Sequence, residues 1–146
     1  MSQWTHVCGC IRIDCFHHEY VNSKIEEILG KILRYESEMW GWELQDSNPE
    51  LYTPTGSEGG VEYDVWVNPD KCCVPSHTIS IWGDLRDYCS VTQITDWFNK
   101  ILYHSGLLIR DAVLSIDVER AAKTVLLYKD GADKCIVIKE EETSNE

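Results

Sequence analysis

Hydrophobic and polar positions along the chain change period several times, and each change marks an element. From His6 to Cys15 they alternate: Val7, Gly9, Ile11 and Ile13 fall on one side, Cys8, Cys10, Arg12 and Asp14 on the other. That is the pattern of a half-buried strand. A polar link from Phe16 to Asn22 follows, and then the period lengthens. Ile25, Ile28, Leu29, Ile32 and Leu33 recur at helical spacing, and Ser23 with Glu26 reads as a capping box that starts the helix at Ser23. Residues Glu36 to Thr55 show no period. They carry Trp40, Trp42 and a Ser47-Asn48-Pro49 turn signal, and a loop of this length inside a domain is often functional.

The second half of the chain returns to short periods. Gly56-Ser57-Glu58-Gly59-Gly60 opens a second strand, Val61 to Val67, with Val61, Tyr63, Val65 and Val67 alternating with Glu62, Asp64 and Trp66. Asn68-Pro69-Asp70 turns the chain. A third strand, His77 to Trp82, sets Ile79 and Ile81 against Thr78, Ser80 and Trp82, and Gly83 reads as its end. A second helix runs from Ser90 to His104 with Ser90 and Gln93 as its cap and Val91, Ile94, Trp97, Phe98, Ile101 and Leu102 as its buried stripe; Gly106 stops it. A fourth strand, Asp111 to Glu119, alternates Ala112, Leu114, Ile116 and Val118 with Val113, Ser115 and Asp117. Thr124 to Tyr128 and Lys134 to Lys139, joined through Asp130-Gly131, predict a closing hairpin.

This order is β-α-β-β-α-β plus a hairpin. It predicts an α+β fold: a ferredoxin-like split βαβ sandwich, with an antiparallel-rich sheet and two helices on one face. A length of 146 residues suits a single domain. That domain spans residues 1–139, and residues 140–146 form an acidic tail.

Charge narrows the classes of partner. The formal net charge is −12, which disfavours direct nucleic-acid binding and anionic membranes, since both need clustered Lys and Arg. No apolar run reaches the roughly 20 residues that cross a bilayer, and Met1-Ser2-Gln3-Trp4 begins no signal peptide. The expected location is therefore the cytoplasm of a bacterial cell. Seven cysteines, an odd number with a Cys-x-Cys and a vicinal pair, make a poor disulfide framework and read as reduced thiols. The spacing around His6, Cys8 and Cys10 is not that of a structural zinc site, so no metal and no cofactor is expected.

Two places carry candidate chemistry. With strands one and three read as parallel neighbours, Asp14 to Glu19, Gly56 to Gly60 and Gly83 to Tyr88 meet at one sheet edge. Gly56, Ser57, Glu58, Gly59, Asp84, Arg86 and Asp87 are then candidate ligand-binding residues. Glycine-rich backbone offers N–H groups to an anion such as a nucleotide phosphate, and Arg86 adds charge. Asp14, Glu58, Asp84 and Asp87 could instead hold Mg²⁺ with a phosphate, a metal-dependent hydrolase. The second place is the sheet face opposite the helices. Alternation puts Glu62, Asp64, Trp66 and Trp82 there, with both rings on one patch, as an interface for a protein or for a homodimer, or a stacking platform for a base.

Several motifs point to a family. Trp4-Thr5-His6 leading into Ile11-Arg12-Ile13-Asp14, then Gly56-Ser57-Glu58-Gly59, Trp66-Val67-Asn68-Pro69-Asp70 and Gly83-Asp84-Leu85-Arg86-Asp87-Tyr88 resemble a group of small uncharacterised proteins from phages and prophages of Firmicutes. The resemblance carries over no catalytic residue. It implies an intracellular phage-type setting, where small acidic proteins often counter a host defence, as anti-CRISPR proteins do. Charge and setting together lead to the first expectation: a non-enzymatic inhibitor whose acidic surface mimics nucleic acid and occupies the basic groove of a host defence protein. The alternative is a binder that sequesters a nucleotide or cyclic-nucleotide signal at the glycine-rich edge; the second alternative is the hydrolase.

Overall fold

The computed structural model describes residues 2–14, 18–32, 51–67, 76–88, 91–129 and 135–139. Their elements are β1 (Trp4–Asp14), α1 (His18–Leu29), β2 (Glu62–Val67), β3 (Ser76–Arg86), α2 (Val91–His104), β4 (Leu108–Val118), β5 (Lys123–Lys129) and β6 (Ile136–Lys139). The strands form one six-stranded sheet in the order β2-β3-β1-β4-β5-β6, and every neighbouring pair is antiparallel. The fold is thus α+β, with two described helices on an antiparallel sheet.

The alternation places the core where the sequence puts it. Val7, Ile11 and Ile13 of β1, Ile79 and Ile81 of β3, and Ala112, Leu114, Ile116 and Val118 of β4 are all buried. They pack with Ile94, Phe98, Ile101 and Leu102 of α2 and with Leu29 of α1. Burying such side chains contributes about 1.5–3 kcal/mol each. Two polar ties fix the end of α1 within this layer. Trp97 Nε1 donates to the Leu29 carbonyl at 2.7 Å, and the Tyr63 hydroxyl donates to the Gly30 carbonyl at 2.8 Å. Burial pushes the Tyr63 hydroxyl up to about 12, so it remains a donor throughout the neutral range.

Four sequence expectations need correction. First, β1 and β3 are antiparallel, paired from Trp4↔Arg86 to Asp14↔Ser76. The chain returns through α1 to lay β2 in the same direction as β1, and β3 turns back between the two. The end of β1 therefore lies beside the start of β3, and Asp14 is removed from the glycine-rich edge. Second, α1 begins at His18, so Ser23 lies inside the helix and not at its start. No Pro or Gly between Phe16 and Asn22 prevents the helix from starting early. Third, α1 ends at Leu29 rather than reaching Leu33. Gly30, at φ 101°, turns the chain away, with its N–H donating to the Glu26 carbonyl at 2.8 Å. Lys31 then bridges to Tyr52. Fourth, Gly83 does not end β3, which continues to Arg86. A Cβ at Gly83 would stand 2.5 Å from the Gly60 carbonyl oxygen, so glycine is there to admit a crossing backbone.

The strand β4 starts three residues before its predicted boundary and carries a register shift opposite Arg12 and Ile13. The hairpin β5–β6 extends the sheet beyond β4 and does not fold over it. Its Asp130-Gly131 turn, Trp40, Trp42 and Asn68 to Asp70 lie outside the described residues. Among the described residues no helix is long and apolar enough to cross a membrane.

Candidate functional site

The glycine-rich segment does meet the end of β3. Ser57 N–H donates to the Arg86 carbonyl at 3.0 Å, Arg86 N–H donates to the Glu58 carbonyl at 2.9 Å, and Gly56 N–H closes the turn onto the Gly59 carbonyl at 3.0 Å. The glycines are required by proximity. A Cβ at Gly56 would lie 2.5 Å from the Arg86 carbonyl oxygen, and one at Gly59, where φ is 69°, would lie 2.0 Å from that of Asp84. The N–H groups of Gly56 and Ser57 are therefore spent on the protein itself, which leaves them unavailable to an anion.

The Arg86 side chain is similarly engaged. Its Nη1 donates to Glu58 Oε1 at 2.6 Å, its Nε donates to Ser2 Oγ at 2.9 Å, and Asp87 Oδ2 lies 3.6 Å from Nε. Asp87 has a positive φ of 53°, and its N–H donates to the Gln3 carbonyl at 2.6 Å. Six of the candidate ligand residues, Gly56, Ser57, Glu58, Gly59, Arg86 and Asp87, are thus joined to one another or to the start of the chain. The N-terminal segment around Ser2 and Gln3 takes the place that Asp14 to Glu19 was expected to hold. Asp14 lies at the far end of the sheet, 3.4 Å from Arg110 Nε, so the four carboxylates expected of a hydrolase do not converge. Among the described residues no three His, Cys, Asp or Glu side chains are grouped to hold a metal ion.

Asp84 points elsewhere. On the open face His6 Nδ1 lies 2.5 Å from Asp84 Oδ1, and His6 Nε2 lies 3.4 Å from Glu119 Oε1. The hydrogen bond to Asp84 raises the His6 pKa above 6.5, opposed by partial burial and assisted by the charges of Asp84 and Glu119. Sequence reasoning missed this cluster, because cross-strand register assembles it from three separate segments. Its local signal was a histidine alternating in phase with Cys8 and Cys10.

That open face is the second candidate, and its register is regular. Trp82 pairs with Glu62 on one side and Cys8 on the other; Ser80 pairs with Asp64 and Cys10; Thr78 pairs with Trp66 and Arg12. Continuing across β4, Cys8 faces Ser115, Cys10 faces Val113 and Arg12 faces Asp111. Arg12 and Asp111 form a two-pronged ion pair, with Arg12 Nε donating to Asp111 Oδ1 at 2.7 Å and Nη2 donating to Oδ2. Next to it the Asp111 pKa is lowered by that hydrogen bond.

The two tryptophans keep 55% (Trp66) and 40% (Trp82) of their surface exposed. They share the face, but the Asp64–Ser80 row separates them. Their backbones are thus about 13 Å apart along the strands, two anchors rather than one stacked pair. Cys8 is exposed and Cys10 half-buried on the same face. On the helix side a cleft of about 210 Å³ is lined by Lys24, Glu27, Ile28, Lys100, His104 and Ser105, and it includes none of the candidate site residues. Comparisons with known protein families, with curated proteins and with solved structures give no match.

Proposed function

We propose that this chain is a non-enzymatic binding protein that works through the open face of its sheet. The observation that carries the reading is the exposure of Trp66 and Trp82 on that face, 55% and 40% respectively, in strands whose other face packs on the core, with Ile79 and Ile81 buried and Tyr63 and Val65 partly buried. Large exposed aromatics beside charged groups are the usual anchors of protein interfaces. Asp64 and Asp84 lie on the tryptophan-bearing half of the face, and with a net charge of −12 they favour a partner with a basic groove. In the phage-type setting implied by the motifs, that partner is a bacterial defence component, inhibited in the host cytoplasm as anti-CRISPR proteins inhibit theirs. The order β4-β1-β3-β2, with one described helix in each of the β1–β2 and β3–β4 connections, supports reading the first six described elements as a ferredoxin-like split βαβ unit to which β5 and β6 are added. Nothing comparable favours a nucleotide at the glycine-rich edge.

The test is capture from a bacterial host lysate with wild-type protein and with the W66A/W82A double variant, alongside mass spectrometry of small molecules carried by the purified chain. The wild type should retain one stoichiometric protein, released as salt rises, and the double variant should lose it. Equal capture by both, or a stoichiometric nucleotide in the purified protein, overturns the reading.

A further inference from the structure

We infer that in the free protein the open face is occupied by a second copy of this chain, stacked sheet on sheet about a two-fold axis parallel to the strands. The inference rests on the reading of this face as a binding surface, and it names the first occupant.

Area permits it. Five gaps of about 4.8 Å between six strands, and strands of up to about 30 Å, give a face on the order of 700 Å². A stable interface takes about 800 Å² from each partner.

Charge selects the symmetry. The two halves of the face differ. The β2–β3 half carries Trp66, Trp82, Asp64 and Asp84. The β5–β6 half carries exposed Ile136 and Ile138, with Lys123 and Lys129 on β5. An axis running between β1 and β4, the middle of the sheet, lays β3 over β5 of the second copy and β1 over β4. It also keeps each cross-strand row above itself. The register then brings Trp82 over Val125 of the second copy and Cys10 over its Val113. Asp84 comes over the second copy's Lys123, His6 over its Asp117 and Arg12 over its Asp111. The other in-plane axis, across the strands, stacks each strand on its own copy. That sets the acidic β2 edge on itself and the lysines of β5 on lysines, a like-charge arrangement that disfavours pairing. Aligned sheets pack rotated by about 30°, which shifts the outer rows but preserves the central pairing of β1 with β4. Such an isologous contact closes on itself and ends at two copies.

The test is sedimentation of the full chain under reducing conditions across a concentration series. The expected result is a reversible dimer. Val113→Arg, near the axis and therefore present twice, should raise its dissociation constant by at least about a hundredfold while the dilute variant keeps the wild-type denaturation midpoint. Asp84→Lys and Lys123→Asp should each weaken the dimer and the combination should restore it, because within one chain these residues lie on strands that are not neighbours. A wild type that stays monomeric, or a dimer untouched by Val113→Arg, overturns the proposal. If the chain is monomeric and W66A/W82A still loses its captured partner, the dimer fails and the binding reading stands. If the dimer behaves as expected and capture is indifferent to the tryptophans, the reverse holds.

Discussion

The two faces of the sheet are built from the same strands, one residue out of step. On the covered side Ile11, Ile79, Leu114 and Ile116 are each 0% exposed, and they meet Phe98 and Ile94 of α2. On the open side their chain neighbours are Arg12, Ser80, Val113 and Ser115, and the large rings there are left in solvent. The difference teaches that exposure on this sheet follows from position in the alternation and not from residue type. Trp97 on α2 packs against the core while Trp82 stays 40% exposed on the sheet. A residue too large and apolar for the open face is then a statement about contact rather than about folding.

The covered face should dominate stability. Phe98 is fully buried, and Phe98→Ala should lower the free energy of unfolding by about 3–5 kcal/mol, read from a denaturant midpoint with unchanged slope. A smaller loss, about 1–3 kcal/mol, is expected of Gly83→Val, because its new Cβ meets the Gly60 carbonyl oxygen at 2.5 Å. Faster amide exchange should appear with it in Gly56 to Gly60. A valine that is accepted at no loss would mean that the crossing backbone is not packed there.

The open face should contribute little, and with a pH signature. The His6 pKa is raised above 6.5 by Asp84. Its contribution is therefore fully present below about pH 6.5 and is lost as pH rises through the higher folded value. The pair is exposed, so the effect is about 0.2–1 kcal/mol at most. His6→Gln should differ from wild type in acid and converge with it in mild alkali, measured as denaturation midpoints between about pH 5.5 and 8.5. A difference that grows with pH would contradict the assignment.

How much of this was readable beforehand depended on the range of the interaction. The faces of β1, β2, β3 and β4 follow from period-two alternation, which is local, and they could be written down from Val7, Tyr63, Ile79 and Leu114 alone. The stripe of α2 was legible for the same reason. Pairing direction was not, because whether β1 meets β3 head to tail is decided by the route of the chain through α1 and β2, and no local pattern encodes it. That one step moved Asp14 to the wrong end of the sheet. The glycines misled for a different reason. A glycine that frees an N–H for an anion and a glycine that lets a carbonyl pass at van der Waals distance look alike in sequence, and Gly56, Gly59 and Gly83 are of the second kind. Ser23 and Glu26 satisfied a capping pattern inside a helix that had already begun. The His6–Asp84–Glu119 cluster was hidden, because its members come from three segments that only the register brings together.

The division between the two faces is tested most directly by comparing two double variants by chemical denaturation, at a concentration where the chain sediments as a monomer. Ile79→Ala with Ile81→Ala removes two side chains of β3 that are 0% and 2% exposed, each expected to lower stability by about 2–5 kcal/mol. Trp66→Ala with Trp82→Ala removes the largest side chains of the open face, and each should change stability by no more than about 0.5 kcal/mol. The account predicts a monomer that unfolds near the wild-type midpoint without its tryptophans and far below it without its isoleucines. If the tryptophan pair proves as destabilising as the isoleucine pair, the open face is part of the core and is not a surface for contact.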